Sequence, residues 1–291
     1  MDRGTTHSNE LKTMRILEKE VDRGNKFTQL LLKFVTPKVP VTNRERKILG
    51  AIPFIILFFL WSIVTYTGIM PPIILPTPSS VLTTTFELFK EHQFLLDIWA
   101  SVFRILVGYV IAAILAIPLG ILMGSYSATR SLFEPIIGVM RYLPVTALIP
   151  LFILWMGIGE AEKLAVIFFG TFFPLVFLVM DVSSNVPKDL INVSYTLGAN
   201  KRNIFLKVIV PACMPGVVDN LRTVLGWTWT YLIVAELVAA ESGIGHVIMT
   251  AQRYLDTGQI LSGVIIIGLL GFISDYLFMQ LYRKIFPYLV R

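Results

Sequence analysis

The sequence holds one cysteine, Cys213, and three histidines, His7, His92 and His246, in 291 residues. A single thiol forms no internal disulfide and no thiolate metal cluster, and histidines scattered over separate segments build no imidazole site. Charge is scarce as well, at 15% of the chain against about a quarter in an ordinary soluble domain. There is no G-x-x-x-x-G-K-[ST] loop to cradle nucleotide phosphates, no H-E-x-x-H pair, no G-x-S-x-G elbow and no paired-carboxylate arrangement. The sequence therefore offers no catalytic residue, no metal ligand set and no nucleotide site of its own. If the protein does work, the energy comes from an ion gradient or from another subunit.

What the chain has in excess is apolar residues, at 55%. They fall in windows at roughly 50–69, 102–123, 143–158, 164–181, 216–240 and 260–281. Most approach the ~20 residues that a helix needs to cross about 30 Å of hydrocarbon. Runs such as IPFIILFFLW (52–61) do not alternate, which excludes a transmembrane β-barrel. The fold class expected is an all-α membrane protein with about six transmembrane helices. The third window is short and has Pro144 and Pro150 near its entry, so it is the weakest span.

Lys and Arg set the orientation. Lys12, Arg15, Lys33, Arg44, Arg46 and Lys47 precede the first span; Arg130 and Arg141 follow the second; Lys188, Lys201, Arg202 and Lys207 follow the fourth; Arg283, Lys284 and Arg291 close the chain. The alternate loops are poorer, so both termini are expected in the cytoplasm. The net charge of +6 is then a topological bias toward a lipid bilayer, and no nucleic-acid partner is needed to explain it. Residues 1–49 read as a cytoplasmic extension rather than a cleavable signal peptide, residues 50–285 as the membrane domain and residues 286–291 as a cytoplasmic tail. Within the extension, Phe27, Leu30, Leu31 and Phe34 form one apolar stripe, which predicts an amphipathic helix at about 25–35. It would lie on the membrane surface or on a cytoplasmic partner. Between the first two spans, Ser79 or Ser80 would cap a short outer helix.

Gly108, Ala112, Ala116, Gly120 and Gly124 recur every four residues along the second span. Small residues on one face let helix backbones approach closely in lipid, so a packing seam is expected, with a pore lining as the other reading. Charges near or inside the spans are few. Arg104, Asp181 and Asp275 lie within reach of span ends and would snorkel or cap; Asp219 and Arg222, three apart, would pair within one helix. Glu236 has no obvious local partner and faces either a solute route or a structural hydrogen bond. Trp227 and Tyr231 share a helix face that Trp229 does not, and they line either packing or a pathway.

The polar stretch PKDLINVSYTLGANKRNIFLKVIVP (187–211) carries no His or Cys. Pro187 can open a helix, Gly198 can stop it, and Asn200 can cap a second one starting at Lys201. Two short helices joined at a glycine make a rigid knob suited to mechanical contact.

This stretch resembles the cytoplasmic loop of ABC importer permeases, written E-A-A-x3-G-x9-I-x-L-P. Gly198, Val208, Val210 and Pro211 keep its register, while Asn192, Val193 and Ser194 stand where Glu, Ala and Ala are usual. SVFRILVGYVIAAILAIPLGILMG (101–124), LIPLFILWMGIGE (148–160), FFGTFFPLVF (168–177) and AELVAAESGIGHVI (235–248) are similar to the nitrate/sulfonate/taurine/bicarbonate branch of those permeases. The resemblance implies a type I importer permease in the bacterial inner membrane, carrying a small, anionic solute. Its partners would be a second copy of the permease, two cytoplasmic ABC ATPase subunits that hold ATP and Mg, and an extracytoplasmic solute-binding protein. Ser194, Leu197, Gly198, Ala199, Asn200, Lys201, Arg202 and Pro211 would form the coupling contact. Trp227, Tyr231 and Glu236 are the candidates for the translocation path. The competing readings are an ion-gradient-driven secondary carrier with Glu236 as coupling group, and a scaffold or receptor that moves no solute.

Overall fold

The computed structural model describes residues 33–34, 39, 41–90 and 92–287, and the described residues hold helices and no strand. The chain divides into two compact units, Met1–Ile69 and Met70–Arg291.

The first unit carries α1, Asn43–Tyr66. A capping box opens it. The Thr42 hydroxyl accepts from the Glu45 N–H at 3.4 Å, and the Glu45 carboxylate accepts from the Thr42 N–H at 2.9 Å and from Lys33 at 2.7 Å. Phe54, Leu57 and Phe59 are exposed, as on a helix whose solvent is lipid. The amphipathic helix expected at about 25–35 falls on residues outside those described, apart from Lys33 and Phe34, which are helical.

In the second unit, α2 (Pro78–Lys90) precedes α3 (His92–Ser125), α4 (Ser127–Met140), α5 (Val145–Met156) and α6 (Glu160–Ser184). Then come α7 (Lys188–Thr196), α8 (Lys201–Ile204), a π turn (Phe205–Ile209), α9 (Val210–Ala239), α10 (Ile244–Arg253) and α11 (Thr257–Ile285). Pro78, with its preset φ, takes the first helical position of α2. The cap therefore falls before Ser79 and Ser80, where it was expected, on Thr77, whose hydroxyl accepts from the Ser80 N–H at 3.3 Å.

Among the described residues, five helices are long and apolar enough to cross a membrane: Asn43–Tyr66, Gln93–Ser125, Glu160–Ser184, Lys201–Val238 and Thr257–Ile285. The expected third span is different. At 12 residues α5 is too short to cross by itself, and α4 and α5, apolar enough only when taken together, are bent by 96° at their junction, the form of a broken span or a re-entrant loop. Pro144 sits at the elbow with ψ 115°, outside the helical region, and has no N–H to continue the ladder.

The core is built on α3 against α6. Ala112 and Ala116 are fully buried, and a Cβ at Gly120 would stand 2.8 Å from the Val176 carbonyl oxygen. The four-residue repeat is thus a packing seam within the chain, not a pore lining. Polar cross-links stitch the helices where no water competes: Tyr109 donates to the Leu221 carbonyl at 2.7 Å, and the Thr171 and Thr228 hydroxyls meet at 3.1 Å. Arg222 does not pair with Asp219. Its Nη2 reaches the Asp275 carboxylate on α11 at 2.8 Å, because a fork matched to a carboxylate on the next helix outcompetes a neighbour on its own backbone.

Candidate functional site

The loop between α6 and α9 has the form its sequence dictates. Gly198 sits at φ +80°, the left-handed region that glycine enters without a Cβ penalty. Its N–H donates to the Tyr195 carbonyl at 2.9 Å and the Ala199 N–H to the Ser194 carbonyl at 3.0 Å, closing the end of α7. Asn200 then caps α8, its side-chain oxygen accepting from the Asn203 N–H at 2.8 Å.

The knob has an inner and an outer side. Ile204 is buried, and Ile191, Ala199 and Phe205 pack on the main core. On the other side Leu190, Val193 and Leu197, at i, i+3 and i+7 of one helical face, are exposed, Leu197 by 82%. Of the expected contact residues, Leu197, Gly198, Asn200, Lys201 and Arg202 are exposed. Ala199 turns toward the core, and Ser194 is half-buried and donates its hydroxyl to the Leu190 carbonyl at 2.7 Å. Pro211 lies outside the loop. It sits in the first turn of α9, and the second knob helix is not separate: Lys201–Val238 is one continuous span. The π turn just before Pro211 widens the helix where the ring would strike the carbonyl four residues back.

A second constellation joins α3, α6, α9 and the turn before α10. Arg104 is 2% exposed. Its Nε donates to Glu160 at 2.7 Å, its Nη1 to Glu236 and to the Ser242 carbonyl, each at 2.7 Å, and its Nη2 to the Ser242 hydroxyl at 2.9 Å. Glu236, 1% exposed, also accepts from the Ser101 hydroxyl at 2.8 Å and the Gly245 N–H at 2.8 Å. Gly243 is at φ +112°, and a Cβ there would stand 2.4 Å from the Glu236 carboxylate. Arg104 is therefore not a snorkelling cation but the centre of a clasp. Glu236 has its partner 132 residues away, and both of its carboxylate oxygens are met by protein donors.

Trp227 and Tyr231 do come together. They line one cleft of about 520 Å³ with Arg141, Tyr142, Pro174, Phe177 and Leu178. Trp229 faces the other way, into the core. Arg141, read in the sequence as a loop charge, stands at the α4–α5 elbow with its guanidinium 3.7 Å from the centre of the Phe177 ring. Glu236 does not line this cleft.

Residues 116–287 match the family described as binding-protein-dependent transport system inner membrane component. A protein of Brucella melitensis named as a probable ABC transporter permease is 39% identical over 225 residues, 77% of this chain and 90% of that one. The taurine transport system permease protein of Escherichia coli is 30% identical over 238 residues, 80% of this chain and 86% of its own. Among solved structures, an inward-facing form of the MetNI methionine ABC transporter aligns with a TM-score of 0.60 at 17% identity, covering 67% of this chain and 96% of that one. At that identity the likeness is one of fold.

Proposed function

The chain belongs to the binding-protein-dependent transport system inner membrane components, the permeases of ABC importers, and we propose that it carries a small oxyanion inward, driven by ATP hydrolysed on a separate subunit. A permease of this kind works with an ATPase and a solute-binding protein. We infer two copies of this chain and two ATPase subunits that hold the ATP and Mg, with the binding protein on the outer side. The solute class follows the sulfonate and nitrate branch that the sequence resembles, and taurine, named for one relative, is itself a sulfonate.

The observation that carries the coupling is the knob. It is anchored on its inner side, fixed by a left-handed glycine and a capped helix, and bare of catalytic groups. Its exposed Leu190, Val193 and Leu197 are an apolar stripe that water alone does not favour. Laid in a groove of the ATPase, it would transmit nucleotide-driven closure to the membrane helices as a two-state switch. The Glu236 clasp removes the main support for a gradient-driven carrier, since the only carboxylate proposed for ion coupling is spent on Arg104.

Purification of the tagged protein in mild detergent, with mass spectrometry of what accompanies it, tests the reading. A stoichiometric companion bearing a G-x-x-x-x-G-K-[ST] loop is the expected result, and Gly198→Val should release it while the permease still inserts. A permease that purifies alone even after crosslinking, and takes up solute on a gradient without ATP, would overturn it.

A further inference from the structure

An arginine inside a bilayer costs several kcal/mol unless its charge is met; among the described residues Arg202, Arg253 and Arg283, at or beside helix ends, make no ion pair, but Arg104 and Arg222, set within long apolar helices, do. Arg104 is held by Glu160 and Glu236, Arg222 by Asp275 and Arg130 by Glu134. Arg141 makes no ion pair among the described residues.

Its position makes that absence informative. Phe177, on which the guanidinium rests, lies seven residues before Ser184, so Arg141 sits about 10 Å along α6 from its cytoplasmic end. Two aromatic rings hold it, Phe177 at 3.7 Å and Tyr142 at 4.6 Å, and its Nη2 donates to the Tyr142 hydroxyl at 2.7 Å. Ring faces stabilise a cation without neutralising it. Its Nε–H is buried and has no acceptor. The cleft it lines also presents Trp227, an N–H donor, and Tyr231, and no Asp, Glu or other basic residue.

A planar fork of N–H donors with unspent hydrogen-bonding capacity, in an aromatic cleft large enough for a small solute, matches the chemistry of an oxyanion bound in bidentate fashion. We infer that Arg141 is an oxyanion-binding station on the solute route, with Trp227 and Tyr231 as its walls. This rests on the import reading above and assigns it a residue. The station holds its anion weakly. Arg141 is only half-buried and the cleft is open, so the anion keeps part of its water and can leave.

The test uses the detergent-purified importer, permease with its accompanying subunits, in lipid nanodiscs. The emission of Trp227 is taken as the difference between the wild type and Trp227→Phe. Iodide, an anionic quencher, is compared with acrylamide, a neutral one, and methanesulfonate serves as a non-quenching oxyanion. Iodide should quench Trp227 several-fold more strongly than its quenching in Arg141→Gln, methanesulfonate should relieve that excess, and acrylamide should not distinguish the two proteins. Oxyanion uptake in Arg141→Gln should fall by roughly tenfold or more, the loss of a charged hydrogen-bonded contact. If acrylamide quenching also changes, the cleft has collapsed and Arg141→Lys decides. A retained iodide excess without methanesulfonate relief supports the fork, whereas relief as in the wild type overturns it. Undiminished ATP-driven oxyanion uptake in Arg141→Gln would overturn the station and leave the import reading standing. An iodide excess relieved by methanesulfonate, in an importer that takes up no oxyanion, would sink the import reading and keep the anion site.

Discussion

Replacing Glu236 by Gln separates a structural clasp from a transport carboxylate. In the wild type one carboxylate oxygen meets Arg104 Nη1 at 2.7 Å and Ser101 Oγ at 2.8 Å, and the other meets the Gly245 N–H at 2.8 Å. Glutamine keeps the shape but turns one of these acceptors into a donor, so at least one buried donor faces another donor. Removing one partner from a buried ion pair costs about 3–5 kcal/mol. Here Arg104 keeps Glu160, whose side chain is 59% exposed and serves as a partial substitute, so the lower end, about 3 kcal/mol, applies. For a domain of this size about 1 kcal/mol moves a melting temperature by about 2–4 °C, giving a fall of roughly 6–12 °C. The assay is a detergent-extracted thermal melt followed by size-exclusion chromatography, with ATP-driven uptake measured on the same preparations well below both midpoints. Uptake should survive in proportion to folded protein. A variant that melts within about 2 °C of the wild type yet has lost all uptake would refute the clasp and return Glu236 to the solute route.

Other substitutions read other parts of the argument. Gly243→Ala places a methyl 2.4 Å from the Glu236 carboxylate at a positive φ and should lower the melting midpoint as far as Glu236→Gln does, whereas Gly226→Ala, with nothing within 4 Å, should leave it within a degree or two. Gly120→Leu drives a side chain into Val176 and Val179 of α6; the variant should elute as aggregate on size exclusion, its loss exceeding the 1–3 kcal/mol of ordinary overpacking because backbone lies at 2.8 Å. Pro211→Ala restores the missing N–H and removes the ring that widens the turn. Amide exchange at residues 207–210 should slow, with little change in the midpoint.

How much of this was legible in the sequence depended on distance along the chain. The Gly198 stop and the Asn200 cap are local, each decided within four residues, and both formed as read. The small-residue seam was equally plain, because period four survives whatever lies opposite. The clasp was not. Arg104 finds Glu160 at a separation of 56 residues and Glu236 at 132, and nothing in the neighbourhood of any of the three names the others. Arg222 was given the wrong acid for the same reason, its partner being 53 residues on rather than three. Arg141 was counted with the loops because a chain written on a line does not display a bend of 96°. Pro211 was placed in the coupling contact with the loop, when the π turn before it lets the helix run through and leaves it in the first turn of α9.

That uninterrupted run has a mechanical meaning. From Lys201 to Val238 the chain is a single rod of 38 residues, about 57 Å from end to end. Its foot is the knob and its head carries Glu236, locked to α3 and to the first turn of α10. A lever without a break ties the motions of its two ends together, save for the play that the π turn and Pro215 allow near the foot. A ligand that immobilises α10 from outside should therefore be felt by whatever grips the knob, with no solute and no nucleotide needed to carry the message.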